Sequence, residues 1–187
     1  MSNAPRRVLI SVGGSVAAFK ACDVITELRR RDHEVRVAMT EAATRFVTPT
    51  LLQALSGHRV TASLWDTEHG DAEHGMSHLD LATWCEVHVV VAASADLITR
   101  LALGLADDAV TTTALASRSP LLLAPAMEAA MWEHPATQAS VATLVARGAR
   151  VLGPVRGRLA SGREDTGRMV DCTVIVDAVE ETLGAAG

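Results

Sequence analysis

The sequence predicts an α/β fold: an open, doubly wound parallel sheet in a single domain spanning residues 1–187. Three observations predict it. Hydrophobic residues make up 49% of the chain and charged residues 21%, with no Tyr and two Phe, so the core is aliphatic, as suits a sheet covered by helices on both faces. Short β-branched apolar runs alternate with amphipathic segments, which implies parallel pairing through right-handed crossovers. Glycines, hydroxyl residues and acids follow the apolar runs, at the carboxyl edge where open α/β sheets bind ligands. At 187 residues the chain is long enough for one well-buried domain and short of two ordinary ones.

In chain order, residues 8–12 form a β-branched strand, and residues 15–31 carry Val16, Phe19, Val24, Ile25 and Leu28 at near-helical spacing. Residues 33–39 read as a second strand, 48–55 as a helix, 87–91 as a third strand and 95–105 as a helix. Residues 121–124 read as a fourth strand, 136–147 as a helix, 150–152 as a fifth strand and 174–183 as the closing helix. The Gly- and charge-rich stretch "GPVRGRLASGREDTGRM" reads as a long mobile loop or flap.

Composition excludes several classes. A formal charge of −5, with no Lys/Arg tract interleaved with aromatics, argues against nucleic-acid and anionic-membrane partners, both of which need phosphate neutralisation. Cys22, Cys85 and Cys172 are odd in number and widely spaced, as expected for reduced thiols in a cytoplasmic protein. "RRVLISVGGSVAAF" begins like a signal peptide, but Gly13-Gly14-Ser15 interrupts the apolar run and favours a structural strand and turn. No segment has the ~20 uninterrupted apolar residues needed to span a bilayer. "WDTEHGDAEHGMSHLDL" collects His69, His74 and His78 among acids without a familiar ligand spacing, so it reads as a solvated loop and no metal is expected.

Four places carry candidate chemistry. "SVGGSVAAFK" sets two glycines and a hydroxyl between a strand and a helix start, either an anion nest or a plain tight turn. Thr40 and Thr44 follow the second strand, as hydroxyl donors or as caps of the next helix. His78 leads into the apolar-periodic "LDLATW", as an acid, base or donor near neutral pH or as a helix cap. In "LLLAPAMEAAMWEHP" an acid, Glu128, stands just past a buried strand.

"MSHLDLATWCEVHVVVAASADLITRLALGLADDAVTT", "PLLLAPAMEAAMWEHP" and "AMTEAATRFVTP" resemble motifs of the homo-oligomeric flavin-containing cysteine decarboxylases, over about residues 8–169. The resemblance implies a Rossmann-like fold that binds FMN at subunit contacts in trimers or dodecamers built of trimers, acting on a peptide or a small cysteine-containing substrate. Gly14 and Ser15 match the flavin phosphate turn, Thr40 the hydroxyl residue after the second strand, and Ser94, Ala95 and Asp96 a Ser-Ala-Asn type turn at the flavin. Asp107 and Asp108 match the acidic/amide pair of the next flavin-side helix, and His78 the catalytic histidine. Met127, Met131 and Trp132 belong to the family pattern Pro-x-Met-Asn-x-x-Met-Trp, while Ser161 and Arg168 lie in the clamp loop, about 154–169. These five are implied to contact substrate.

Two positions depart from the pattern. Glu128 stands where the family has an asparagine that donates to the substrate carboxylate, and Ser161 where coenzyme A pathway members carry a cysteine. In the family mechanism, hydride leaves the cysteine β-carbon for the flavin, CO2 is lost from the thioaldehyde, and the clamp cysteine serves the return of reducing equivalents. Ser161 therefore implies a reaction that stops at the enethiol, as in peptide-modifying members. An ionised Glu ~4 Å from a substrate carboxylate costs about 4 kcal/mol at an effective dielectric of roughly 20. Either Glu128 is protonated, or the substrate is held differently, or the chain is catalytically degenerate. The expected activity is oxidative decarboxylation of a cysteine carboxylate, at the C-terminus of a precursor peptide. The alternatives are phosphopantothenoylcysteine decarboxylation and a non-catalytic flavoprotein subunit.

Overall fold

The computed structural model describes residues 5–65 and 77–185. Six parallel strands, β1 (Arg7–Val12), β2 (Glu34–Met39), β3 (Val60–Thr61), β4 (Val87–Ala93), β5 (Leu121–Pro125) and β6 (Arg150–Val151), form one sheet in the order β3-β2-β1-β4-β5-β6. The strand order reverses direction between β1 and β4, which makes the crevice beyond their carboxyl ends the topological switch point.

The pleat divides the core in two. Val8, Ile10 and Val12 face α1 (Ala21–Arg30), α2 (Pro49–Ser56) and α8 (Cys172–Ala185), burying Ile25, Leu28, Leu52, Ile175 and Val179. Leu9 and Val90 face the other way, toward α3 (Ser77–Trp84), α4 (Ala95–Leu103), α5 (Ala109–Ala116) and α7 (Pro135–Ala146), burying Leu81, Leu97, Ile98, Val110 and Leu144. A single turn, α6 (Ala129–Trp132), follows β5. The second core holds a buried polar pair between β1 and β4: Ser11 Oγ lies 2.7 Å from His88 Nε2, and burial lowers the His88 pKa to about 4.

Local chemistry explains the helix ends. The Thr48 hydroxyl accepts from Leu51 N–H at 3.2 Å with Pro49 in the first turn, and Gly57 closes α2 at φ 78°. The helix expected over 15–31 is instead a 3-10 turn, Val16–Lys20, followed by α1. The expected long loop is corrected to a hairpin: β7 (Val155–Arg158) and β8 (Glu164–Arg168) pair antiparallel. Its strands read VRGR and EDTGR, with no apolar alternation for periodicity to detect, so backbone bonding rather than burial builds it. α5 is hidden for a related reason, because three consecutive threonines blur its helical period.

Candidate active site at the switch point

The turns after β1 and β4 approach so closely that side chains have no room. A Cβ on Gly13 would lie 2.4 Å from the Ala92 carbonyl oxygen, and one on Gly14 would lie 2.4 Å from Ala42 Cβ. Gly13 N–H donates to Val91 O at 2.9 Å. Ala92 itself sits at φ 58° in a bulge between Val91 and Ala93, a left-handed conformation that costs a non-glycine residue about 1 kcal/mol or more. Its N–H donates to Met169 Sδ at 3.3 Å. Such strain is stored where a fold must aim its backbone at something.

Two cavities open at this crevice and share Gly14 and Ser94. The first, of about 450 Å³, is lined by Ser15, Lys20, Met127, Glu128, Met131, Arg158 and Arg168 among others. The second, of about 690 Å³, is lined by Thr40, Asp96, Asp107 and Asp108 with Arg45 and Arg100. The structure thus brings together the turn residues, the acidic pair and the Met127–Met131 segment. Ala95, which opens α4, and Trp132, whose carbonyl accepts from Gln138 Nε2 at 2.6 Å, line neither of these cavities. His78 at the start of α3 lines neither as well, so within one chain it is not joined to Glu128. Its Nδ1 is buried without a hydrogen-bond partner among the described residues. His69 and His74 lie outside the described residues.

Most hydroxyls around the crevice are engaged locally. Ser15 accepts from Ala17 N–H at 3.3 Å and Ser94 from Leu97 N–H at 3.2 Å, each capping the helix it opens. Thr40 Oγ1 donates to Val12 O at 3.4 Å and accepts from Ala43 N–H at 3.1 Å, while Thr44 donates to Glu41 O at 2.7 Å. Asp108 caps α5 by accepting from Thr111 N–H at 2.8 Å, and Arg100 reaches Asp108 at 2.8 Å and Asp107 as well. The hydrogen bond from Arg100 holds the Asp107 carboxyl below its usual range. Arg100, Lys20 and Arg158 were not singled out from sequence; only Arg100 carried a signal, four residues after Asp96 on one helix.

The first cavity's outer wall is the hairpin. Met127 N–H donates to Gly167 O at 3.0 Å, and a Cβ on Gly167 would lie 2.2 Å from Met127 O, so β8 runs hard against the turn after β5. Arg168 donates to Asp171 at 2.5 Å. Glu128 Oε1 accepts from the Ser161 N–H at 3.0 Å, and Oε2 from the Ser161 hydroxyl at 2.9 Å. None of the three cysteines lines either cavity; all are free thiols, and burial raises the pKa of Cys22 and Cys172. Among the described residues there is no group of three or more His, Cys, Asp or Glu that could hold a metal, and no helix long and apolar enough to cross a membrane.

A doubly wound sheet with adjoining cavities at its switch point defines an α/β protein built to hold a ligand beyond β1 and β4. The chain belongs to the Flavoprotein family, whose model matches residues 1–184. It is 42% identical over 177 residues to the coenzyme A biosynthesis bifunctional protein CoaBC of Escherichia coli K12, covering 95% of this chain and 43% of the relative. It therefore spans less than half the length of that curated relative. Among solved structures, it resembles a cysteine-to-serine mutant of PPC decarboxylase complexed with pantothenoylaminoethenethiol, at TM-score 0.83 and 28% identity over 96% of this chain and 99% of the other. It also resembles the FMN-dependent cysteine decarboxylase SpaF, at TM-score 0.82 and 31% identity over 97% of this chain and 99% of the other.

Proposed function

We propose that this chain is an FMN-dependent decarboxylase of a cysteine carboxylate. The observation that carries the reading is the switch-point crevice, where Gly13 and Gly14 leave no space for a Cβ and two cavities meet at Gly14 and Ser94. The residues present fit a flavin mononucleotide. Gly14, Ser15 and Ser94 would hold its phosphate end by backbone N–H groups at two helix starts. Thr40, Asp96, Asp107 and Asp108 would surround the rest, and Arg100 already orients both acids. Bound there, FMN would supply a two-electron acceptor for oxidation of the substrate cysteine, the step that makes loss of its carboxylate favourable.

The chain's own residues would bind the substrate and handle protons. Met127, Met131 and the hairpin enclose the first cavity, and Arg168 stands on its wall. His78 would orient or deprotonate the substrate thiol. Because His78 lines neither cavity, a second copy of the chain would bring its His78 to the site, in a trimer or a multiple of trimers. The apolar rim supports this: Phe19 and Phe46 are 55% and 49% exposed beside the cavity, with Val16 and Met131 also uncovered. Mixed oligomers of two inactive variants, His78→Asn and Gly14→Val, should regain turnover. Failure of any mixture to do so would confine each site to one chain.

For the substrate, the leading reading is the C-terminal cysteine of a peptide, giving an aminoenethiol. It is supported by Ser161 where a clamp cysteine would be needed for reduction. A second reading, phosphopantothenoylcysteine, is favoured by the likeness to CoaBC and PPC decarboxylase. It is also favoured by Lys20 and Arg158, which line the first cavity without an acidic partner among the described residues and suit a phosphate. Offering both compounds to the flavin-loaded protein separates the readings, since kcat/KM should favour one by orders of magnitude. Equal turnover would leave neither as the dedicated substrate.

A further inference from the structure

We infer that Glu128 and Ser161 form a latch that fixes the tip of the β7–β8 hairpin over the first cavity, and that Glu128 is a positioning residue acting through that hairpin. The two positions that depart from the family pattern are the two that meet: Ser161 N–H and hydroxyl donate to the two oxygens of one carboxylate, at 3.0 and 2.9 Å. Charge-assisted pairs of this kind are the stronger hydrogen bonds of a surface.

The hairpin is otherwise held at its base, where Met127 N–H donates to Gly167 O and Met169 is buried in the core, and by Leu159, whose side chain is buried at the start of the tip. Its tip, between Arg158 and Glu164, is exposed at Ser161, and its own bonds run within it, from Leu159 N–H to Arg163 O and from Gly162 N–H to Leu159 O. Arg158, Leu159 and Ala160 line the cavity just before Ser161, so the height of the tip sets the cavity wall.

Side-chain reach decides which residues can serve. An asparagine at 128 is one methylene too short to span to Ser161. A glutamine spans it and keeps both contacts, its oxygen accepting from the N–H and its nitrogen donating to the hydroxyl. With both carboxylate oxygens engaged as acceptors, Glu128 offers no donor to a substrate carboxylate. On the proposed decarboxylase reading, the substrate anion then meets Lys20 and Arg158 of the same cavity.

The test is amide hydrogen exchange across residues 155–168 of the flavin-loaded protein without substrate, followed by steady-state kinetics. Glu128→Ala and Glu128→Asn should speed exchange at the tip on the order of tenfold, and Glu128→Gln should stay near the parent. Ser161→Ala should have a smaller effect because its N–H remains, and adding it to Glu128→Ala should change nothing further. With a turned-over substrate, Glu128→Ala should raise KM several-fold at nearly constant kcat, and Glu128→Gln should restore it. Unchanged exchange in Glu128→Ala, additive effects in the double variant, or Glu128→Asn matching the parent would overturn the latch. Exchange that behaves as expected in a protein that decarboxylates neither compound would uphold the latch and sink the proposed function.

Discussion

The two walls of the switch-point crevice are held together differently. On the β1–β4 wall, Ser15, Ser94 and Asp108 each bind a backbone N–H two or three residues ahead, and the glycines pack backbone on backbone. On the hairpin wall, the polar contact at the tip joins Glu128 to a residue 33 positions away. Caps of short sequence separation form with their helices and cannot open unless a helix frays. A long-range contact on an exposed hairpin can open alone, because local openings there cost far less than global unfolding. The crevice therefore pairs a fixed cradle with a wall that yields, the arrangement of sites in which a loop closes over bound substrate.

The predictions break that contrast from its strongest point downward. His78→Asn should cost ~10² to 10⁴-fold in turnover while leaving the flavin spectrum intact, since it removes a positioned acid/base and touches neither wall. Full activity would reduce His78 to a structural role. Gly13→Val should destabilise the fixed wall by about 3 kcal/mol or more, because the Ala92 carbonyl and not a flexible side chain is in the way. A melting temperature within a degree or so of the parent would show that the β1 and β4 turns can separate.

Beneath the same wall, His88 is buried neutral with its pKa lowered to about 4, so the unfolded chain binds its proton first as pH falls. Stability should be full above about pH 6.5 and decline by about 3 kcal/mol as pH drops toward 4, and His88→Gln should flatten that decline. A flat profile in the parent would mean that His88 is already charged when folded. Smallest is Asp108→Ala, expected to cost about 1 kcal/mol of stability through the lost α5 cap. In calorimetry it should weaken FMN affinity only a few-fold, whereas a complete loss of binding would make Asp108 a direct ligand.

How much of this was legible in the sequence follows the same division. Strands rich in Val and Leu, and caps such as Thr48-Pro49 and Ser94, declare themselves within a few residues, so five of the six strands and the β1–β4 turns could be read directly, while the edge strand β3, only Val60–Thr61, is too short to show. The hairpin could not, because its strands carry charge and glycine and its partner is the turn after β5. Glu128 looked like an anomaly for the same reason: sequence sets it beside Met127, while the fold sets it beside Ser161. Sequence alone leaves three readings open for Glu128, and none of them is a bond to the clamp. His78 stood out through its resemblance to a family motif, but it lines neither cavity at the switch point.

The account rests most directly on one measurement: mass spectrometry of a peptide ending in cysteine, and of phosphopantothenoylcysteine, after incubation with the purified, flavin-loaded protein. The account predicts loss of CO2 together with two hydrogens from one of them, most readily the peptide, with bleaching of the flavin absorbance in the absence of oxygen. Loss of CO2 alone would contradict the claim that a chain with Ser161 in its clamp stops at the enethiol. No mass change in either compound, with FMN bound, would contradict the decarboxylase reading itself.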